Sequence, residues 1–277
     1  MILADMSNLA ITALQEAGSG GNPMIITEQT IRHVVLKKIY DVYKKIGTHH
    51  ELVLACDGKD YFRKDLFSYY KGNRVKNNDC FDWDDFRYHY PILKAELPYY
   101  FPFKLLEIDK VEGDDIINCI TDWEIANGNR HIIIASSDTD DLQISERYPN
   151  WVEQYSFKKR GYITCADYNY SLKQHIIEGD KGDGIPNIMS DDDTYMNPAK
   201  RSKTLTKKRR EQFEIEIPEE FQANYERNKS LVDMSQIPDH YRQAIIEEYL
   251  KPMPPKEDSI YKYCIKYKLA RLMKFIA

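Results

Sequence analysis

Carboxylates recur in five short segments across the first two-thirds of this 277-residue chain. They are Asp5 in MILADMS, Asp57 in ELVLACDG, Glu112, Asp114 and Asp115 in VEGDD, Asp138 and Asp140 in IIIASSDTDD, and Asp180 and Asp183 in EGDKGDGIP. At least three of the segments fall where an apolar run stops, as at the end of a buried strand. Acids gathered at one sheet edge repel one another unless a cation neutralises them. Mg²⁺ takes oxygen ligands and keeps several waters, so an all-carboxylate site suits it, whereas Zn²⁺ would want His or Cys as well. Two such ions, one activating water and both clamping a non-bridging phosphate oxygen, support in-line displacement at phosphorus. The pattern predicts a divalent-metal nuclease. Each acid alone has a plainer use as a helix cap, turn former or dipole partner. Their joint placement at successive strand ends, with E-x-D-D and D-x-D spacing, asks for more than that.

The elements that must position them follow from hydrophobic periodicity. Short apolar runs at 1–5, 51–56, 103–108, 131–135 and 151–155 alternate with helical patterns, which predicts an α/β fold: a mostly parallel sheet flanked by helices. Ligands of open α/β sheets bind beyond the carboxyl ends of the strands. Asp57, Asp138 and Glu112 should meet there, with Asp5 at the end of the first strand. Ile31, Val34, Val35, Ile39, Val42 and Ile46 predict a helix over 28–46 that Gly47 terminates. Another begins near Glu112 and stops at Gly128. Segment 82–97 reads as helical but interrupted or ended by Pro91 and Pro98, and 167–178 as a helix leading into the glycine-rich turn. Segment 187–212 lacks periodicity, and its basic run is expected to be a solvated loop. From about 219 the chain reads as helical again, broken at KPMPP.

Basic residues lie apart from the acids. YFRKDLFSYYKGNRVK interleaves Arg63, Lys64, Lys71, Arg74 and Lys76 with Tyr61, Phe62, Phe67, Tyr69 and Tyr70. Cations can track phosphates while aromatics stack bases, although an amphipathic helix with buried rings has the same composition. Its place after Asp57 favours a cation that holds the scissile phosphate. A second run supplies Lys200, Arg201, Lys203, Lys207, Lys208, Arg209 and Arg210, which would make polyanion binding salt-sensitive. The formal net charge of −5 is therefore a mean over a segregated distribution. Five scattered cysteines without a CxxC pair argue against a zinc site or disulfide framework and for a reducing, cytoplasmic compartment. The apolar start is interrupted by Asp5 and lacks a basic flank, so it reads as a strand and not a signal peptide. No run of about 18 apolar residues suggests a membrane span.

In order, ADMS, CDG, YFRKDLFSYYKGNR, EGDD, SSDTDD and GDKGDGIP resemble the flap-endonuclease or 5′-nuclease superfamily, over nearly the whole chain. The resemblance implies a PIN-like catalytic domain over 1–165 with a helical arch near 60–100. It implies a helical DNA-binding region over 166–277 with a helix-hairpin turn and the basic loop 187–212. Asp5, Asp57, Glu112 and Asp114 would hold a first Mg²⁺, with Asp115 close by; Asp138, Asp140 and Asp183 would serve a second, with Asp180 assisting, and Mn²⁺ substituting for Mg²⁺. Arg63 and Lys71 match the family's basic residues at the base of the arch, beside Tyr70, and are the expected catalytic cations. Lys181, Gly182, Gly184 and Ile185 of the hairpin would meet duplex phosphates or a K⁺ ion. IPNIMSDDDTY follows the hairpin in place of the glycine–lysine helix start of many relatives.

The expected activity is Mg²⁺-dependent 5′-to-3′ cleavage of RNA–DNA hybrids and DNA duplexes or flaps, removing lagging-strand RNA primers, in the host cytoplasm if phage-encoded. A monomer is expected, with a sliding clamp and a single-stranded-DNA-binding protein as partners. The stretch YKYCIKYKLARLMKF could dock such a partner, but its periodicity favours a core helix. The competing readings are a PIN-like endoribonuclease and a non-catalytic nucleic-acid-binding protein of the same fold.

Overall fold

The computed structural model describes the chain apart from residues 20–22, 49, 75–79, 129–130, 257, 271 and 274–277, so Lys76 lies outside the described residues. Six strands, β1 (Ile2–Asp5), β2 (Leu52–Cys56), β3 (Lys104–Glu107), β4 (Ile132–Ala135), β5 (Val152–Ser156) and β6 (Gly161–Ile163), form one sheet. Their order is β3-β2-β1-β4-β5-β6. All neighbours are parallel except the β5–β6 pair, which is antiparallel. The five anticipated strands are present; β6 is too short and too polar on its outer face to show as periodicity.

Period-2 alternation divides the strand residues between two cores. Ile2, Ala4, Leu54, Cys56 and Ile133 face one side; Leu3, Val53, Ala55, Ile132 and Ile134 face the other. Both sides are apolar because helices cover both, as parallel sheets require. The first face is covered by α1 (Met6–Gly18) and α2 (Glu28–Ile46). After the short α3 (Phe62–Leu66), α4 (Trp83–Tyr100) covers the same face. The opposite face packs on α5 (Gly113–Gly128) and part of α6 (Leu142–Arg147). The chain continues through α7 (Cys165–Tyr168), α8 (Leu172–Glu178), α9 (Lys207–Ile215), α10 (Glu219–Val232), α11 (Asp239–Leu250) and α12 (Ile260–Lys266). Helix α11 packs Ile245 and Tyr249 onto the second face, and α12 buries Tyr263 and Cys264 in the first. The C-terminal periodicity is therefore that of the core.

Four expectations need correction. Pro91 and Pro98 neither interrupt nor end α4, which runs to Tyr100. Phe86, Tyr90, Leu93 and Leu97 bury one side of it, and that packing offsets the lost backbone bonds. Helix α4 thus lies against the sheet, within the segment expected to form an arch. The single helix over 167–178 is instead α7 and α8, separated where Asn169 turns left-handed at φ 50°. Lys207–Arg210 open α9, capped by the Thr206 side chain, so only the first part of the basic run is irregular. Finally, α1 escaped the periodicity reading because it begins at Met6, directly after the strand-like opening run. Among the described residues no helix is long and apolar enough to cross a membrane.

Candidate functional site

The carboxyl ends of β1, β2 and β4 lie side by side, and each delivers one of the expected acids. Asp5 is the last residue of β1 and N-caps α1, its Oδ1 accepting from the Asn8 N–H at 2.9 Å. Asp57 follows β2, and its Oδ1 accepts from the Gly113 N–H at 2.9 Å, which fixes the start of α5 beside it. Gly58 is needed at this junction: a Cβ there would lie 2.1 Å from the Ile108 carbonyl oxygen. Asp138 follows β4 in a loop held by Ser136, whose Oγ accepts from the Asp138 N–H at 3.1 Å. Gln154 braces the same loop by donating to the Asp138 carbonyl at 2.5 Å. Only one oxygen of Asp5 serves the helix cap.

A cavity of about 30 Å³ beside this edge is lined by Glu112, Asp114, Asp115, Asp140, Asp180 and Asp183, together with Arg63, Tyr70, Lys71 and His175. Acids assigned to two different ions thus share one space. The hairpin reaches it through Tyr70, whose hydroxyl lies 2.9 Å from Glu112 and 3.1 Å from Asp183 and can donate its one proton to either. Lys71 adopts φ 56°, a left-handed conformation unfavourable for a side-chain-bearing residue, and its N–H donates to the Asp183 carbonyl at 2.7 Å. Its ammonium pairs with Glu112 and lies 3.6 Å from Asp183. Gly184, at φ 74°, allows the close approach: a Cβ there would meet the Tyr69 carbonyl oxygen at 2.9 Å.

The charges are unevenly compensated. Arg63 is buried and holds Asp115 with two bonds of 2.7 and 2.8 Å, Glu112 with one of 2.8 Å, and the Leu231 carbonyl with one of 2.9 Å. Burial opposes ionisation of Glu112, but Lys71 and Arg63 together hold its carboxyl below the usual range. Asp5 has no such partner among the described residues: burial first, then Asp57, pushes its carboxyl up to about 8. Burial and Asp138 push Asp140 up to about 7. Asp114 is raised well above the ordinary value by burial, then by Asp141, Asp5 and Asp138. Its Oδ1 is buried with no hydrogen-bond partner among the described residues. Orphaned buried oxygen and mutually raised carboxyls are what an oxygen-loving divalent cation would relieve, so the donor set fits Mg²⁺ or Mn²⁺.

Two residues here were not foreseen. Asp141 is fully buried at the start of α6, and burial followed by Asp138 raises its carboxyl well above the ordinary value. The doubled acid in SSDTDD was its only signal. His175 of α8 lies 3.7 Å from Asp140 and 3.6 Å from Asp180. It was overlooked because ligand spacing in sequence does not cross from one loop to another helix. Burial raises the Asp180 carboxyl, but His175 together with the backbone N–H groups of Asp183 and Gly182 holds it below the ordinary value.

The remaining basic and aromatic candidates are dispersed. Phe62, Phe67 and Tyr70 are buried, Phe62 stacked 5.2 Å from Tyr241 and the other two packed with Ile176, Ile185, Leu231 and Val232. They build the interior, which corrects the expectation of a base-stacking platform. Lys64 pairs with Asp60 at 3.2 Å, and Arg74 pairs with Asp183. Lys181 and Gly182 are exposed, their carbonyls accepting from Asn73 at 2.6 Å and from Arg74 at 3.1 Å, while Ile185 is buried. After the hairpin comes an irregular acidic segment: Lys200 is held by Asp191 at 3.0 Å and Asp193 at 2.6 Å, and Lys203 lies 4.0 Å from Asp191. Arg210 pairs with Glu178 at 2.8 Å, Lys207 lies 4.0 Å from Glu211, and Arg209 contacts Met189. Arg201 and Lys208 are exposed.

Residues 20–169 match the 5′-3′ exonuclease N-terminal resolvase-like domain, and residues 169–277 match the T4 RNase H C-terminal domain. The chain belongs to the 5′-3′ exonuclease family. Ribonuclease H of Enterobacteria phage T4 is 30% identical over 263 residues, which covers 89% of this chain and 85% of that protein. DNA polymerase I of Streptococcus pneumoniae is 26% identical over 157 residues, 52% of this chain and 17% of the polymerase. Among solved structures, phage T5 5′-exonuclease with bound zinc superposes with a TM-score of 0.58 at 17% identity, covering 97% of this chain and 98% of that one. A phage T5 flap endonuclease complexed with DNA and metal ions gives 0.56 at 16% identity, with 98% of each chain covered.

Proposed function

We propose that this protein is a Mg²⁺-dependent 5′-to-3′ nuclease that cleaves phosphodiesters at the 5′ ends of RNA–DNA hybrids and of DNA duplexes or flaps. Removal of lagging-strand RNA primers during phage DNA replication is the task that fits these substrates. The carrying observation is the convergence of Asp5, Asp57 and Asp138 at adjacent strand ends beside the Glu112–Asp183 cavity, with the buried Asp114 oxygen unsatisfied. Asp5, Asp57, Glu112 and Asp114 would hold one ion, and Asp138, Asp140 and Asp183 the other, with Asp115 and Asp180 in support. Bound there, the ions would supply a nucleophilic hydroxide at neutral pH and charge neutralisation at the phosphate.

The chain's own residues prepare that site. Arg63 fixes Glu112 and Asp115 from the buried side. Tyr70 and Lys71 link Glu112 to Asp183, and Lys71, less enclosed than Arg63, is the cation placed to meet a phosphate. Lys64, Arg74, Lys181, Arg201 and Lys208 would contribute sequence-independent backbone contacts. A K⁺ ion at the hairpin would use carbonyl lone pairs left over by Asn73 and Arg74. A sliding clamp and a single-stranded-DNA-binding protein remain the proposed partners, with the chain acting as a monomer in the cytoplasm.

A PIN-like endoribonuclease would share the crevice, so a free 5′ end is the discriminating variable. Linear hybrid carrying a 5′ end should be degraded, while covalently closed circular RNA annealed to DNA should survive. Equal cleavage of both would overturn the 5′-end requirement.

A further inference from the structure

The basic residues nearest the acids are each paired with one: Arg63 with Asp115 and Glu112, Lys71 with Glu112, Arg74 with Asp183. Uncommitted charge lies beyond the carboxyl end of β5, beside the loop that carries Asp138. The turn between β5 and β6 carries Lys158, Lys159 and Arg160 in succession, all exposed. None has a carboxylate within 4.0 Å among the described residues. The turn is built into the site's framework. Lys158 N–H donates to Ser137 Oγ at 3.0 Å, Lys159 N–H donates to Ser156 Oγ at 3.3 Å, and the two serine hydroxyls are 3.1 Å apart. Ser137 immediately precedes Asp138. Arg160 takes the left-handed conformation, φ 56°, that returns the chain into β6, where Gly161 pairs with Ser156. Arg160 also borders a cavity of about 700 Å³ between α1, α2 and β5, to which Lys45 adds a further exposed cation.

We propose that the Lys158–Lys159–Arg160 turn is a backbone clamp for nucleic acid, binding successive phosphodiesters of the substrate whose end enters the acid crevice. The proposal rests on the nuclease reading and names a contact surface for it. Three adjacent cations free of internal acids suit a polyanion with a regular charge repeat, and the guanidinium adds a two-point grip on one phosphate. The surface reads charge and not sequence. It holds the substrate on the β5 side, so a net acidic protein still presents positive charge beside the crevice. The turn is fastened by main-chain donors, so its side chains can be exchanged without removing the bonds that shape it.

The test is the salt dependence of binding to a fluorescent 5′-flap duplex, with Ca²⁺ in place of Mg²⁺ to hold off cleavage. In the triple variant Lys158→Gln, Lys159→Gln, Arg160→Asn, the slope of log Kd against log salt should fall by about 2 to 3, near 0.9 per lost phosphate contact. Asn tolerates the left-handed position. Mn²⁺ uptake measured by calorimetry should match the wild type. The double charge reversal Lys158→Glu, Lys159→Glu keeps Arg160 and should weaken binding further, which covers the case of a triple variant that folds poorly. A wild type that binds the duplex with a slope both variants retain overturns the clamp alone. A wild type that binds no nucleic acid at all removes the nuclease reading and the clamp with it.

Discussion

Arg63 and Asp115 form a two-point ion pair, 2.7 and 2.8 Å, with both side chains sealed from solvent. This gives Arg63 a role that its position after CDG did not suggest: it holds the acids in place from behind. Removing one partner leaves a buried charge uncompensated, so Arg63→Ala should cost about 3–5 kcal/mol in chemical denaturation. Arg63→Lys should recover little, because an ammonium cannot reproduce the planar fork. Near-wild-type stability in both variants would contradict the assignment.

Lys71 is placed differently. It bridges Glu112 and Asp183 at the mouth of the cavity, 4.9 Å from the Tyr61 ring. Lys71→Ala should lower single-turnover cleavage by on the order of 10²-fold, with a much smaller change in duplex Kd. A defect confined to Kd would make Lys71 a binding residue only.

Asp138→Asn removes a carboxylate charge while keeping the loop held by Ser136 and Gln154. Cleavage should fall by on the order of 10²–10³-fold with substrate affinity nearly intact. Unchanged turnover would exclude Asp138 from the chemistry.

The raised acids make the metal-free protein sensitive to alkali. A carboxyl whose pKa is higher folded than unfolded binds its proton more tightly in the fold, so stability is lost as pH rises through that interval. For Asp5 the interval runs from 3.8 to about 8, and for Asp140 from 3.8 to about 7. In EDTA the melting temperature should therefore decline from pH 5 to pH 8, and the increment gained on adding Mg²⁺ should grow over the same range. A melting temperature in EDTA that rises toward pH 8 would contradict this account of the acids.

The sheet and the acids at its edge were legible because both rest on short-range patterns. Leu52–Cys56 is apolar on both faces and ends at Asp57, so strand, burial and site position follow from a few residues. The helix α2 was equally plain, with its period and its Gly47 stop lying within one segment. Illegible were the features that depend on distant contacts. Pro91 looked like a break because the packing of Leu93 and Leu97 against the sheet is invisible locally. The rings at 61–70 alternate with cations whether they face bases or a core, and Ile176, Leu231 and Val232 decide the matter from far along the chain. Lys200 looked available for phosphate until Asp191 and Asp193 folded back on it.

The most direct test of the central claim uses a 5′-labelled RNA–DNA hybrid and a matching 5′-flap duplex, each incubated with the protein in Mg²⁺ or in EDTA. Short labelled products released from the 5′ end in Mg²⁺ alone are the predicted result. Tight binding without cleavage in either condition would contradict it and leave a nucleic-acid-binding protein that kept the fold without the turnover.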